Sequence, residues 1–453
     1  MESRKAVSLS RYKVVKDPIY GYVKVYRHEL PLVDSIAFQR LRRLKQLSAA
    51  DLVYPGAVHT RFSHSLGVAH VAEVFVTEIL KKLAVRIDDI ERYVVLMRLI
   101  ALLHDIGHGP YSHTFEDYVL IPRGVTHEDM SSKLVESYEP VTSAVEAIVS
   151  EYGYSVKQVS RALRATSVDD WPFTSTITEG ASERALFYII KGAFSSDIID
   201  YLLRDSYYTG AGYGSGIDWQ RLAHYTYIEN DKLVLDSRAL EVLDQLLIAR
   251  LLMFSTVYYH KTVRAATKFV GDILKKIDES KLIDFDNAVS NLDVYLTLDD
   301  YSILLNDRVR ELPEVRSFLS RYIPYKAIAE HRIVLPDAVR ALETLFSMSK
   351  SYLENEIVEQ MRKSGIELRP EVDFFIDTPK LPLNPMLSDE IIYVRDLTEH
   401  IYSRRVIELT WFHIPRSVAV IRLYVHRERV KDYAKLRQIF YQIFEQGVPR
   451  SFY

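Results

Sequence analysis

The 453 residues contain no cysteine, which excludes a disulfide framework, a zinc finger and a thiol nucleophile, and leaves any bound metal to His, Asp or Glu. Long apolar runs are missing too. The longest, Tyr93 to Leu103, is interrupted by Arg98, so no membrane span is expected, and the opening residues MESRKAVSLSRYK lack the apolar stretch of a signal peptide. A cytoplasmic location is the default expectation. Net charge is nearly absent at −3, which gives no global attraction to nucleic acid or to an anionic membrane. Internal repeats and low-complexity tracts are absent as well.

What is present is apolar mass and one concentrated polar stretch. A 48% hydrophobic content over this length can fill a large helical core with an appendage. Residues 93 to 113, YVVLMRLIALLHDIGHGPYSH, run from an almost unbroken apolar helix into His104, Asp105, His108 and His113, and Gly107 and Gly109-Pro110 stop the helix. An imidazole and a carboxylate in the last turn of a buried helix cost several kcal/mol (roughly) if left without partners. A divalent metal compensates both, since imidazole supplies nitrogen and carboxylate supplies charge. The plain alternative is a single buried His-Asp hydrogen bond; two more histidines, His108 and His113, and a Gly-Pro stop close by favour the metal.

In chain order, YKVVKDPIYGYVKVY (12–26) alternates as a hairpin. LVDSIAFQRLRRLKQL (32–47) reads as a helix with Ile36, Leu41, Leu44 and Leu47 inward, and Gln39, Arg40, Arg42, Arg43 and Lys45 elsewhere, either as a phosphate contact or as a solvated face. HTRFSHSLGVAHVAEVF opens a second helix carrying Arg61 and His64, and His64 can point toward the same interior as His104. Thr126 is placed to cap a helix beginning at His127. From Arg184 to Tyr208 a helix carries Asp197, Tyr201 and Asp205 at i, i+4 and i+8 on one face. YTYIENDKLVL (225–235) reads as a hairpin, followed by a long helix from about Ser237 to Lys276 bearing Tyr258, and helices to about Gly365. Beyond Pro370, VDFFID, IIYVRD and VAVIRLYVH are strand-like and precede a closing helix near Val430 to Phe444. The expected fold is mostly α, with a helical core at 1–365, short hairpins, and a smaller C-terminal α+β lobe at 366–453.

With His64, His104-Asp105 and Asp197 assembled, the spacing H…HD…D is similar to that of the HD-domain metal phosphohydrolases. The strings DSIAFQRLRRLKQL, YPGAVHTRFSHSLGV, ALLHDIGHGPYSHTFE and DYLLRDSYYTG resemble, more narrowly, the deoxynucleoside triphosphate triphosphohydrolases of the SAM-and-HD-domain type and their prokaryotic relatives. The resemblance covers about residues 12 to 270, with a weaker echo at VIRLYVHRE. It implies metal ligands at His64, His104, Asp105 and Asp197, with iron, zinc, manganese and nickel all open and an additional magnesium ion conceivable.

The same resemblance implies a catalytic cluster at His108, His113 and His127, with Glu116 where the best-studied relatives have an Asp, and Arg61 neutralising developing charge. It implies substrate contacts at Arg61, Tyr201, Asp205 and Tyr258, with Gln46 and Leu47 beside the sugar. Lys13, Val14, Asp34, Arg42 and Lys261 match positions that in some relatives form an activating nucleotide site between subunits, so a homo-dimer or homo-tetramer is expected. Two positions depart from the pattern: Ile198 stands where many relatives carry a phosphate-binding Lys or Arg, and Phe254 where some carry a His. The implied activity is hydrolysis of deoxynucleoside triphosphates to deoxynucleoside and triphosphate. The alternatives are an HD-type hydrolase of another nucleotide or a phosphodiester, and a nucleotide-binding scaffold whose site is vestigial.

Overall fold

The computed structural model describes residues 7–335, 350, 353–378, 391–405 and 417–447. Strands β1 (Tyr12–Asp17) and β2 (Gly21–Tyr26) form the expected hairpin, in register from Tyr12 opposite Tyr26 to Asp17 opposite Gly21. Two long helices, α1 (Arg61–Lys82) and α2 (Ile87–Leu103), pack along each other. Val68, Val71, Ala72 and Phe75 of α1 share one buried apolar cluster with Leu96, Leu99, Ile100 and Leu103 of α2. Each buried side chain of this size contributes about 1.5–3 kcal/mol, so tertiary burial fixes where these helices end. Arg98, alone in that apolar stretch, is fully buried and paired with Glu29 at 2.7 Å and Glu73 at 2.8 Å. Its guanidinium also donates to the carbonyl of Lys24 on β2, which ties the hairpin to the core.

Helix α3 (His127–Ser137) begins at Thr126, whose hydroxyl accepts from the Asp129 amide, as predicted. Helix α4 (Ser196–Thr209) lies against α1. The hairpin β3 (Thr226–Glu229) and β4 (Lys232–Asp236) leads to α5 (Leu240–Met253) and α6 (Lys261–Glu279). A three-stranded sheet has the order β5 (Tyr325–Leu335), β9 (Ser417–His426), β6 (Phe374–Asp377), with α7 (Tyr433–Gly447) packed on β5. Strands β7 (Ile391–Arg395) and β8 (Ile401–Arg405) extend the β3–β4 hairpin, β7 running parallel to β4. A mostly helical core with short hairpins and a C-terminal α+β lobe is thus what the chain forms. No described helix is long and apolar enough to cross a membrane.

Three local readings are corrected. The expected helix over 32–47 is broken: Leu30–Val33 and Ile36–Arg40 are separate, because extended Ser35 turns its hydroxyl to the Phe38 amide. Ile36 is consequently 65% exposed, while Arg40, expected outside, is buried with Nε donating to the Leu298 carbonyl. The helix expected from Ser237 to Lys276 is interrupted after Met253 by a wider turn at Phe254–Tyr258, and the His260 ring then caps α6 through the Thr262 amide. Residues 325–335, read as helical, form β5. Since β5 pairs with β9, the sheet draws strands from both sides of residue 365, and we propose that the smaller lobe takes in β5.

Candidate metal centre and active site

His104 follows the last residue of α2. Its Nδ1 contacts the Ala101 carbonyl at 2.6 Å; a carbonyl only accepts, so Nδ1 carries the proton and Nε2 the lone pair. His64, in the first turn of α1, is held likewise by Asp200, Nδ1 to Oδ2 at 2.8 Å. The two Nε2 atoms lie 3.3 Å apart. His104 Nε2 is 3.4 Å from Asp105 and 3.9 Å from Asp197, and His64 Nε2 is 3.6 Å from Asp105 and 3.1 Å from Asp197. Two nitrogen lone pairs and two carboxylates facing one another at these separations need a positive charge among them. The pocket's own titration has the same sense. Burial pulls the His64 imidazolium down, but hydrogen bonds with Asp197 and Asp200 outweigh it and push the pKa up to about 10. Burial lowers His104. Asp105 is held well below the usual carboxylate range by Arg61 and the neighbouring histidines, against its burial.

The donor set fits a divalent transition ion: nitrogen and carboxylate oxygen only, with each imidazole oriented from behind by an acceptor. Asp197, with 39% of its side chain exposed, marks the open side of the pocket. The support behind His64 continues inward. Asp200 accepts two hydrogen bonds from Arg204 at 2.9 Å, and Arg204 reaches Asp17 at the end of β1, also at 2.9 Å. This approach is possible because residue 67, on α1 just past His64, is glycine; a Cβ there would overlap the Asp200 carboxylate and press on Arg204.

A second group adjoins the first. His108 Nε2 is 3.4 Å from Asp105 Oδ1. The His108 ring stacks on His127 with centroids 3.8 Å apart and stands edge-on to His113 at 4.9 Å. Glu116 holds both partners, His127 Nδ1 at 2.7 Å and His113 Nδ1 at 2.9 Å, and also accepts from the His127 amide. Burial raises the Glu116 pKa, but the two histidine hydrogen bonds reverse the effect, so it stays ionised. His108 is driven well below the ordinary imidazole range by burial and by the charges of Arg61 and His127. The His113 side chain is 67% exposed. Glutamate at 116 thus spans two histidines with its two oxygens. Arg61 is buried between Asp105, which it contacts through Nη1, and Ser112 Oγ at 2.8 Å.

On the other flank Asp205 accepts from Tyr258 Oη at 2.7 Å and meets His59 Nε2 at 2.7 Å. The Tyr201 and Tyr258 rings stand at 72°, centroids 6.4 Å apart. The Gln46 backbone N–H donates to the His59 carbonyl, and Gln46 Oε1 is buried with no hydrogen-bond partner among the described residues. Leu47 is partly buried beside it. Ile198 points into the apolar core, and Phe254 packs edge-on against Tyr258 at 4.8 Å. Lys13, Val14, Asp34, Arg42 and Lys261 are all exposed. Arg42 engages Gln39 and lies 3.5 Å over the Phe62 ring.

Four participants carried no role in the sequence reading: Asp200, His59, Ser112 and Arg250. Arg250 is buried over the Tyr201 and Phe254 rings, at 5.8 and 5.3 Å, and its Nε and Nη1 have no hydrogen-bond partner among the described residues. The clue was the one that singled out Arg98: one cation in the apolar helix LEVLDQLLIARLLM.

The HD domain model matches residues 61–163 and the HD associated region model matches 217–364. These segments enclose His64, His104, Asp105 and the histidine cluster on one side, and Arg250 and Tyr258 on the other. The chain is 29% identical over 373 residues to the deoxynucleoside triphosphate triphosphohydrolase SAMHD1 homolog of Dictyostelium discoideum, covering 78% of this chain and 67% of that protein. It is 36% identical over 276 residues to an uncharacterized protein of Methanocaldococcus jannaschii, covering 60% and 51%. A solved structure of a hypothetical protein from Aquifex aeolicus superposes with a TM-score of 0.69 at 28% identity, over 94% of this chain and 99% of that one. The chain carries an HD domain and its associated region, and its similarity to these relatives supports an HD-domain family of the deoxynucleoside triphosphate triphosphohydrolase type. It spans about half to two thirds of the length of the curated relatives it matches.

Proposed function

We propose that this protein is a metal-dependent phosphohydrolase that cleaves deoxynucleoside triphosphates to deoxynucleoside and inorganic triphosphate. The observation that carries this reading is the junction of the two groups: a pocket of His64, His104 and Asp105, with Asp197 3.1 Å from His64, lies 3.4 Å, from Asp105 to His108, from a histidine cluster backed by Glu116. A divalent ion held by His64, His104, Asp105 and Asp197 would polarise the α-phosphate and acidify a water. In the reaction the water oxygen bonds to the α-phosphorus, the bond from phosphorus to O5′ breaks, and O5′ leaves with a proton. His113 and His127 suit that proton transfer, since Glu116 holds each Nδ1 and leaves each Nε2 for the reacting side. Arg61, fixed by Asp105 and Ser112, balances charge developing near the α-phosphate. Arg250 offers the polyphosphate the cation that Ile198 does not.

Asp205 and Gln46 suit the 3′-hydroxyl, while Leu47 and the Tyr258 ring close the space a 2′-hydroxyl would need. The activating nucleotide, with phosphates between Lys13, Arg42 and Lys261 of neighbouring subunits, belongs to the same proposal, as do a cytoplasmic location and a homo-oligomer. A second reading, another nucleotide or a phosphodiester in the same pocket, is favoured by Ile198 lying in the core. Purified protein screened against all dNTPs and rNTPs with iron, zinc, manganese, nickel and magnesium, with triphosphate resolved from pyrophosphate, separates the two. Release of triphosphate from dNTPs supports the first; turnover of only other phosphoesters overturns it.

A further inference from the structure

Asp300 lies outside the segment matched as HD domain, at the start of a short helix, Asp300–Leu304, and is buried. Among the described residues no cation pairs with it at hydrogen-bond distance. Its two oxygens accept instead from two backbone amides far apart in sequence: Oδ2 from Lys45 at 2.9 Å and Oδ1 from Tyr111 at 2.7 Å. Burial pushes its pKa up to about 6, against the pull of those amides. Keeping a carboxylate here is costly unless both hydrogen bonds matter to the fold or the site.

What the two amides lead to is the active site. Tyr111 and Ser112 are consecutive non-glycine residues at φ +58° and +57°, and each such residue costs about 1–3 kcal/mol unless its surroundings impose it. The strained pair aims three groups. Ser112 Oγ accepts from Arg61 Nε at 2.8 Å, the Ser112 carbonyl accepts from the Glu116 amide at 3.2 Å, and His113 follows directly. Lys45 closes the circuit: its carbonyl accepts from Ser112 Oγ at 2.8 Å while its amide is on Asp300, and Gln46 and Leu47 come next. The loop is held again at Gly107, whose carbonyl accepts from Tyr295 Oη at 2.6 Å.

Resting on the phosphohydrolase reading above, we propose that Asp300 is a positioning residue for the reaction: by holding the Lys45 and Tyr111 amides together it sets Arg61, the His113–Glu116 turn and the Gln46–Leu47 wall in register. Asp300 thereby helps to complete the site without itself touching substrate. Asp300→Asn keeps the size but turns an N–H donor toward one of the two amides. In the metal-loaded full-length protein it should lower kcat about tenfold to hundredfold, the range of a hydrogen bond to a charged acceptor. Metal content should be unchanged and KM should move less than kcat. Hydrogen exchange should quicken at residues 44–47 and 109–114.

Ser112→Ala removes the link to Arg61, so Asp300→Asn with Ser112→Ala should be little slower than the worse single variant. If the two losses multiply, or if Asp300→Asn keeps kcat within twofold of wild type, the proposal is overturned. Should Asp300→Asn not fold, Ser112→Ala alone decides it: slower turnover with metal retained and faster exchange at 44–47 supports the circuit, and unchanged turnover overturns it. A wild-type protein inactive on every nucleotide overturns the function instead. Exchange at the two loops in Asp300→Asn then tests the positioning by itself: quickened exchange supports it and unchanged exchange overturns it.

Discussion

The pocket around His64 and the exposed set Lys13, Val14, Asp34, Arg42 and Lys261 ask different things of their polar groups. His64, Asp105 and Arg61 are buried, and their polar atoms find partners within the chain; Asp200 stands behind His64, the Ala101 carbonyl behind His104, and Arg61 against Asp105. At the surface water serves as partner, and nothing forces the five residues toward one another. A buried constellation therefore states its chemistry in one chain. An exposed one states it only when the second party is bound.

The sharpest way to break this comparison is Asp105→Ala, which removes a ligand and leaves Arg61 buried and unpaired. Loss of one member of a buried pair costs about 3–5 kcal/mol. Metal analysis should fall from about one ion per chain in wild type to near zero, with no measurable turnover; full occupancy in the variant would sink the ligand assignment. Next in size, His113→Ala and His127→Ala should each cost about 10²- to 10⁴-fold in kcat while metal content and melting temperature stay at wild-type values. Loss of metal from both would move these histidines into the ligand set.

A smaller effect is expected at Tyr258→Gly. A hydroxyl pressed against Leu47 and an aromatic ring without a partner costs about 1–3 kcal/mol, so wild type should prefer dGTP to GTP by about tenfold to hundredfold in kcat/KM. Trimming the ring should move that ratio toward one. Equal rates in wild type, or a ratio unmoved in the variant, would mean that the sugar lies elsewhere. The smallest effect on the isolated chain belongs to Arg42→Ala, which should leave the melting temperature within a few degrees. It sharpens the comparison only with nucleotide present, where wild type should assemble further or turn over faster and the variant should not. Light scattering and kinetics that ignore every nucleotide in wild type would make this set a solvated face.

What was legible in the sequence follows the same division. His64, His104, Asp105 and Asp197 stood out as polar residues in apolar settings, and the structure brings their side chains together. Arg40 was misjudged because amphipathic periodicity cannot see the Leu298 carbonyl that receives it. Asp200 went unassigned because it sits on the inner face of α4 beside a more conspicuous carboxylate. Asp300 was invisible: its partners lie 255 and 189 residues away, a separation no local pattern spans. Strand β5 was lost among helices because its pairing partner β9 arrives much later in the chain. Local pattern reports what a side chain is surrounded by in sequence, and these residues work through what surrounds them in space.

Gly67 shows what a spatial neighbour can demand of a residue. An alanine there alters no ligand, adds no charge and would pass as a mild change on any substitution scale. Yet its methyl group would occupy the space that lets Asp200 and Arg204 stand behind His64. The Gly67→Ala variant should therefore hold a divalent ion more weakly than wild type, needing a higher metal concentration for half-maximal occupancy while every proposed ligand is still in place.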